Sequence, residues 1–287
     1  MLTDCDYVLD KKNRFYIVRG YWNDKDILAN LVFIPLIEGD RYNKENGLFY
    51  KKVIDENILP IKLNKKDIKK IYKPREKFKY FHKELPEPWK TLAKKLAEIV
   101  GIDNVGIFGS YLIGFDTKKD VDFIVYGLDN FAKIKENVLE ILKVVNGKTI
   151  TTKHIKYQMK KHAKYFSNFT NFDKLLRKKW SSIQIAPGIL STIRFAYLEN
   201  EIPPNPFVTE IAKQIEIKGK VISDLGSNFS PRTFEIESGD KKYTVATYLW
   251  IYQSCVRNGD KVSVKGNLHK DEKTITLTEF SHGIRLE

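Results

Sequence analysis

Apolar and polar positions along this chain change rhythm three times. Over residues 1–55 the apolar residues fall in short runs rich in branched and aromatic side chains: 15–21, 27–36 with Pro35 inside it, and 48–53 beyond a polar loop at 38–47. Runs of that length between polar turns predict a small β-meander whose aromatics fill a core. From Trp89 the period lengthens. Trp89, Leu92, Ala93, Leu96 and Val100 recur at helical spacing, Pro88 suits a first turn and Gly101 a stop, and a second helical pattern covers 131–144. Short strands are predicted at 105–108, 120–126 and 188–197. After Pro203-Pro204-Asn205-Pro206 the rhythm shortens again to alternating stretches at 215–222, 233–237, 243–252, 261–266 and 273–280, separated by turn residues.

These changes divide the chain into a β-rich region with a basic linker (1–85), a central domain of mixed sheet and helices (86–203) and a C-terminal β-barrel (204–287). The fold class is α+β. The 287 residues are enough for two or three domains with sizeable cores. No apolar run approaches the length of a membrane span, and the first residues lack the layout of a signal peptide. The two cysteines, Cys5 and Cys255, form neither a disulfide framework nor a zinc motif, so a reducing, cytoplasmic setting is expected.

Candidate chemistry concentrates in residues 104–127. The apolar run at 105–108 breaks at Gly109-Ser110, and Asp120-Val121-Asp122 opens the next strand. Alternation places Asp120 and Asp122 on one face. Two adjacent carboxylates repel unless a cation lies between them, and hard oxygen ligands suit Mg²⁺ or Mn²⁺. A glycine–serine turn offers backbone N–H groups and a hydroxyl to a phosphate. Together they point to phosphoryl or nucleotidyl transfer.

Gly109-Ser110 followed by a hydrophobic-flanked Asp120-Val121-Asp122 resembles the signature of the DNA polymerase β nucleotidyltransferase superfamily. End to end, the chain is similar to an archaeal branch of predicted nucleotidyltransferases. The resemblance implies a polymerase-β-type domain that transfers a nucleoside monophosphate from a nucleoside triphosphate to a hydroxyl. Asp120 and Asp122 would hold the metal as catalytic residues, and Gly109, Ser110 and Arg194 would bind the nucleotide. It also implies a third carboxylate on the strand at 188–197, within an Asp-Ile-Arg step. The matching step here is Thr192-Ile193-Arg194, so a hydroxyl stands where that carboxylate is expected. A fold retained for nucleic-acid binding without turnover is the alternative.

Charge widens the choice of partner. The 50 Lys and Arg against 36 Asp and Glu give a net charge of +14, which favours a polyanion such as RNA or DNA. Two basic stretches carry aromatics, 60–85 and 151–180. Each is either a nucleic-acid surface or a solvated segment, and Lys160, Lys161 and Lys164 are the better candidates for phosphate contacts. The C-terminal stretches resemble an OB-fold barrel, a fold that binds single strands through aromatics on its second and third strands. Tyr248, Trp250 and Tyr252 would share one strand face there, free to stack bases or packed against a neighbour. The oligomeric state is not legible.

Overall fold

The computed structural model describes residues 2–23, 25–36, 49–53, 59–115, 120–161, 169–186 and 189–287. The polar loop expected at 38–47, and Lys164 with it, lie outside these residues. The chain forms two compact units: Met1–Lys148 with Ser182–Ile202, and Thr149–Ser181 with Pro203–Glu287. The β-rich region therefore shares one unit with the central sheet. The second basic stretch, expected in the central domain, belongs with the barrel.

The first unit opens with β1 (Tyr7–Asp10), β2 (Phe15–Val18), β3 (Asp26–Leu36), β4 (Phe49–Lys52), β5 (Ile61–Asn64) and β6 (Ile68–Tyr72). They pair antiparallel in the order β4-β3-β2-β1-β6, with β5 also on β3. Strand β1 was hidden in the sequence because acids surround it, yet Asp4, Asp6 and Asp10 are all buried. Asp10 is satisfied by its neighbours, Asp6 by a distant lysine. Asp10 accepts from the backbone N–H of Lys12 and Arg14 and pairs with the Arg14 guanidinium at 2.7 Å. Asp6 pairs with Lys73 at 2.5 Å. Residues 60–85 are not a linker: they supply β5, β6 and helix α1 (Pro74–Phe81), whose Phe78 is fully buried against Phe123.

Next come α2 (Trp89–Val100), β7 (Val105–Phe108), β8 (Asp122–Tyr126), α3 (Leu128–Glu136), α4 (Val138–Val144), β9 (Lys148–Thr149), α5 (Thr152–Lys161), α6 (Phe172–Arg177), β10 (Ser182–Ala186) and β11 (Ile189–Ala196). The central sheet has the order β7-β8-β11-β10-β9. Strand β7 runs antiparallel to β8, and β11 runs parallel to it. Helix α2 buries the five apolar residues its periodicity marks. The second helical pattern divides at Asn137 into α3 and α4. Gly106 lets α1 approach β7, since a Cβ there would meet Pro74 Cβ at 2.7 Å.

The two sheets of this unit share a core. Phe115, just beyond the Gly109-Ser110 turn, sits among Phe15, Phe33 and Tyr50 with ring centroids 4.9–5.5 Å apart. Edge-on aromatic packing of this kind adds to the area buried. Phe115→Ala is expected to cost about 3–5 kcal/mol. Urea unfolding followed through the unit's aromatic signal checks this, and a loss under about 1 kcal/mol would show that the ring does not tie the sheets together.

The second unit contains α5, α6 and a barrel of β12 (Ile211–Ser223), β13 (Arg232–Ser238), β14 (Lys241–Thr247), β15 (Lys261–His269) and β16 (Thr274–Thr276). The strand order is β12-β13-β14-β16-β15, and pairing of β12 with β15 closes the five strands. Strands β14 and β16 are parallel. This closed barrel is consistent with the OB-like expectation. A strand not foreseen, β17 (Gly283–Leu286), adds to β15. Val221, Ile236, Val245, Val264, Ile275 and Leu277 lie in the barrel interior, each with essentially no exposure. Helix α6 buries Phe172, Leu175 and Leu176. Asn171 donates to Leu286 O at 2.7 Å and accepts from Leu286 N at 2.9 Å, which pairs the segment with β17 much as a strand would.

Candidate functional site

Gly109 starts a single tight turn at the end of β7, with φ +78. An L side chain rarely adopts that angle, and a Cβ there would meet Asp122 Oδ2 at 3.3 Å. The glycine therefore leaves room beside the carboxylate. The glycine–serine turn does not open an α-helix. Instead, a 3₁₀ turn at Gly109–Tyr111 continues into hydrogen-bonded turns, with Phe115 N donating to Ser110 O at 3.1 Å.

Pairing of β8 with β11 brings Thr192 level with Asp122. The Thr192 backbone N–H donates to Asp122 Oδ1 at 2.9 Å. In-register neighbours on adjacent strands share a face, so Thr192, and Arg194 two residues on, stand on the face that Asp122 occupies. The Arg194 guanidinium lies over the Phe108 ring at 4.8 Å and reaches Cys5 Sγ at 3.9 Å. Asp120 is exposed and lies two positions before β8, which starts at Asp122 instead of at residue 120 as expected. Gly109, Ser110, Asp120, Asp122, Thr192 and Arg194 thus gather at one end of the central sheet.

Burial pushes the Asp122 carboxyl up to about 6, and the negative charge of Asp120 adds to the rise. The Thr192 N–H, Arg194 and Lys52 oppose it. A carboxylate that is costly to ionise and has an acid beside it suits a bound cation, and every donor here is a hard oxygen. The residues present therefore fit a divalent metal through Asp120 and Asp122. No cluster of three or more His, Cys, Asp or Glu side chains able to hold a metal occurs among the described residues.

The elevated Asp122 acid has a consequence in metal-free protein. Its folded-state pKa exceeds the ordinary value of 3.8, so the folded protein keeps a proton that the unfolded chain releases between about pH 4 and 6. The associated stability is present at low pH and is lost as pH rises through about 6. Asp122→Asn should therefore be more stable than wild type at pH 7.5 in EDTA, by about 2 kcal/mol, with the gap closing below pH 4. Urea unfolding across pH 4–8 measures this. A variant less stable than wild type throughout would contradict it.

Residues missed by sequence reasoning lie on the N-terminal sheet. Arg19, at the end of β2, is buried and donates through Nε to Asn30 Oδ1 at 2.8 Å. The only signal was an arginine closing the otherwise apolar run at 15–18. Lys52 at the end of β4 acts on Asp122 electrostatically.

The barrel residues are placed differently from expectation. Strand β14 ends at Thr247, and Trp250–Tyr252 is a 3₁₀ turn, so Tyr248, Trp250 and Tyr252 share no strand face. Tyr248 is buried and stacked on Phe207 at 4.8 Å, and Tyr252 is 1% exposed. The Lys179 ammonium lies 4.9 Å over the Trp250 ring. The expected base-stacking row is not formed. Lys160 is exposed on α5 together with Lys153, Lys156 and Tyr157, and Lys161 ends that helix.

Fold and site together define an α+β chain with a closed five-stranded barrel and an acidic, glycine-lined strand end in a separate unit. The chain is similar to the uncharacterized protein MJ1086 of Methanocaldococcus jannaschii, 24% identical over 252 residues, which covers 78% of this chain and 68% of that protein. No family model matches the chain, and no solved structure does. Among the described residues, no helix is long and apolar enough to cross a membrane.

Proposed function

We propose that this protein is a Mg²⁺-dependent nucleotidyltransferase that passes a nucleoside monophosphate from a nucleoside triphosphate to a hydroxyl, with a nucleic-acid end as acceptor. The observation that carries this reading is the meeting of Gly109, Asp122 and Thr192. The strand end, the glycine turn and the neighbouring strand converge on one buried carboxylate, as the Gly-Ser and Asp-x-Asp resemblance requires. Asp120 and Asp122 hold the metal, which supplies charge neutralisation for the phosphates. Ser110 and the backbone of Gly109 orient the triphosphate, and Arg194 contacts a phosphate. The acceptor oxygen bonds to the α-phosphorus, the bond to the bridging oxygen breaks, pyrophosphate leaves and the hydroxyl proton passes to solvent. The acceptor class is supported by the net charge of +14 and the exposed basic face of α5.

Thr192 favours a second reading, a nucleotide- and nucleic-acid-binding protein without turnover, because the position beside Asp122 offers a neutral side chain. One assay separates the two. The protein is incubated with each labelled triphosphate, Mg²⁺ or Mn²⁺, and mixed RNA and DNA oligomers. Label on any acceptor supports the transferase. Oligomer binding without label transfer under either metal rejects it in favour of the second reading.

A further inference from the structure

The N-terminal sheet brings a second guanidinium to the site. Cys5 N donates to Val18 O at 3.1 Å, and Gly20 N donates to Asp4 Oδ1 at 3.1 Å, so Asp4 and Cys5 lie against the backbone on either side of Arg19. Arg194 reaches the same Cys5 from β11. Two arginines thus act on one cysteine, and Arg19 also feels the charge of Arg194. Arg19 is 8% exposed. Its Nη1 and the Arg194 Nε are buried with no hydrogen-bond partner among the described residues, and neither arginine makes an ion pair there.

Nearby groups balance this charge unevenly: against the cost of burial, Asp4 and Asp122 help hold Arg194 above its ordinary value, whereas burial and the Arg194 charge depress Arg19. Burial pushes the Cys5 thiol up to about 12 and the Tyr7 phenol higher still, so both stay neutral. The Asp4 carboxylate accepts from Gly20 N and the Cys5 thiol. A buried guanidinium and a half-buried one, each with an open buried donor, are costly unless an anion joins them. A planar fork suits the oxygens of a phosphate, which a pair of forks can grip from two sides. Arg194 shares its strand face with Thr192, whose N–H holds Asp122, so the open donors adjoin the candidate metal carboxylates.

We infer that Arg19 and Arg194 together form a buried seat for the phosphate groups of the triphosphate, and that inorganic pyrophosphate is the simplest ligand it takes. The inference rests on the nucleotide reading above and adds the N-terminal sheet to the site. The β-rich region is then part of the binding machinery, which explains why it shares a compact unit with the central sheet.

Isothermal titration of the full chain with pyrophosphate, in EDTA and without nucleotide, tests it. Wild type is expected to bind, and Arg19→Met to bind at least tenfold more weakly. Arg19→Lys should also lose most of the affinity, because an ammonium cannot replace the fork. Ligand-free Arg19→Met should melt at or above the wild-type temperature, since it loses an uncompensated buried charge, while its stabilisation by pyrophosphate shrinks. Wild-type pyrophosphate affinity in a folded Arg19→Met overturns the proposal, as does tighter binding of citrate than of pyrophosphate by wild type. If Arg19→Met does not fold, Arg19→Gln is titrated in its place. Failure of both to fold also overturns it, because Arg19 would then be a structural group. The readout is independent of turnover. Pyrophosphate binding without label transfer keeps the seat and rejects the enzyme, whereas label transfer with unchanged pyrophosphate affinity in Arg19→Met does the reverse.

Discussion

Asp120→Ala combined with Asp122→Ala should reduce metal-dependent label transfer at least 1,000-fold, to background, while the protein stays folded. The magnitude follows from removing both anionic metal ligands, since electrostatic stabilisation of the transferring phosphate is the main contribution such a site makes. Folding should survive because the buried Asp122 carboxyl is held up at about 6, so its loss relieves an ionisation cost and removes little favourable interaction. The backbone N–H of Thr192 loses its acceptor, which limits any net gain in stability. Parallel measurements of transfer and thermal melting are needed, because a collapse of both together would say nothing of the site. Transfer at the wild-type rate in a folded double variant would remove Asp120 and Asp122 from the mechanism.

Thr192→Asp should act in the opposite direction on transfer. The new carboxylate would stand level with Asp122 on the neighbouring strand, where two acids already interact. In metal-free protein a third negative charge adds repulsion, so the melting temperature should fall by several degrees. With Mg²⁺ present the loss should reverse. Metal affinity should rise at least tenfold and transfer about 100-fold, as expected when a missing ligand and proton acceptor is supplied. Melting curves with and without Mg²⁺ give the first half of this test and label transfer the second. A folded Thr192→Asp variant whose Mg²⁺-induced stabilisation matches wild type would show that residue 192 does not face the metal.

The local motif was legible because its physics is local. A glycine must break β7 for the turn to pass Asp122, whereas the strand expected to carry both aspartates begins only at Asp122. The helical period of α2 and the short strands of the barrel were legible for the same reason. Strand β1 was not. Its acids read as solvent-facing, and for Asp6 a partner distant in sequence, Lys73, offsets the burial. The aromatic row failed at Thr247. Its hydroxyl accepts from Leu249 N and donates to Leu277 O, both at 3.1 Å, and this side-chain bonding ends the strand before alternation can carry Tyr248, Trp250 and Tyr252 onto one face.

By itself, then, the sequence determined the α+β character, the glycine–serine turn and the short strands of the barrel, since each depends on residues within a few positions of one another. The tertiary structure alone decided what surrounds them. It set Thr192 against Asp122, drew Arg19 to Arg194 past Cys5, locked Phe115 into the N-terminal sheet and joined residues 149–181 to the barrel. Those outcomes depend on strand pairing and burial across long stretches of chain. The charge, spacing and period of a single segment carry no record of which distant segment will cover it.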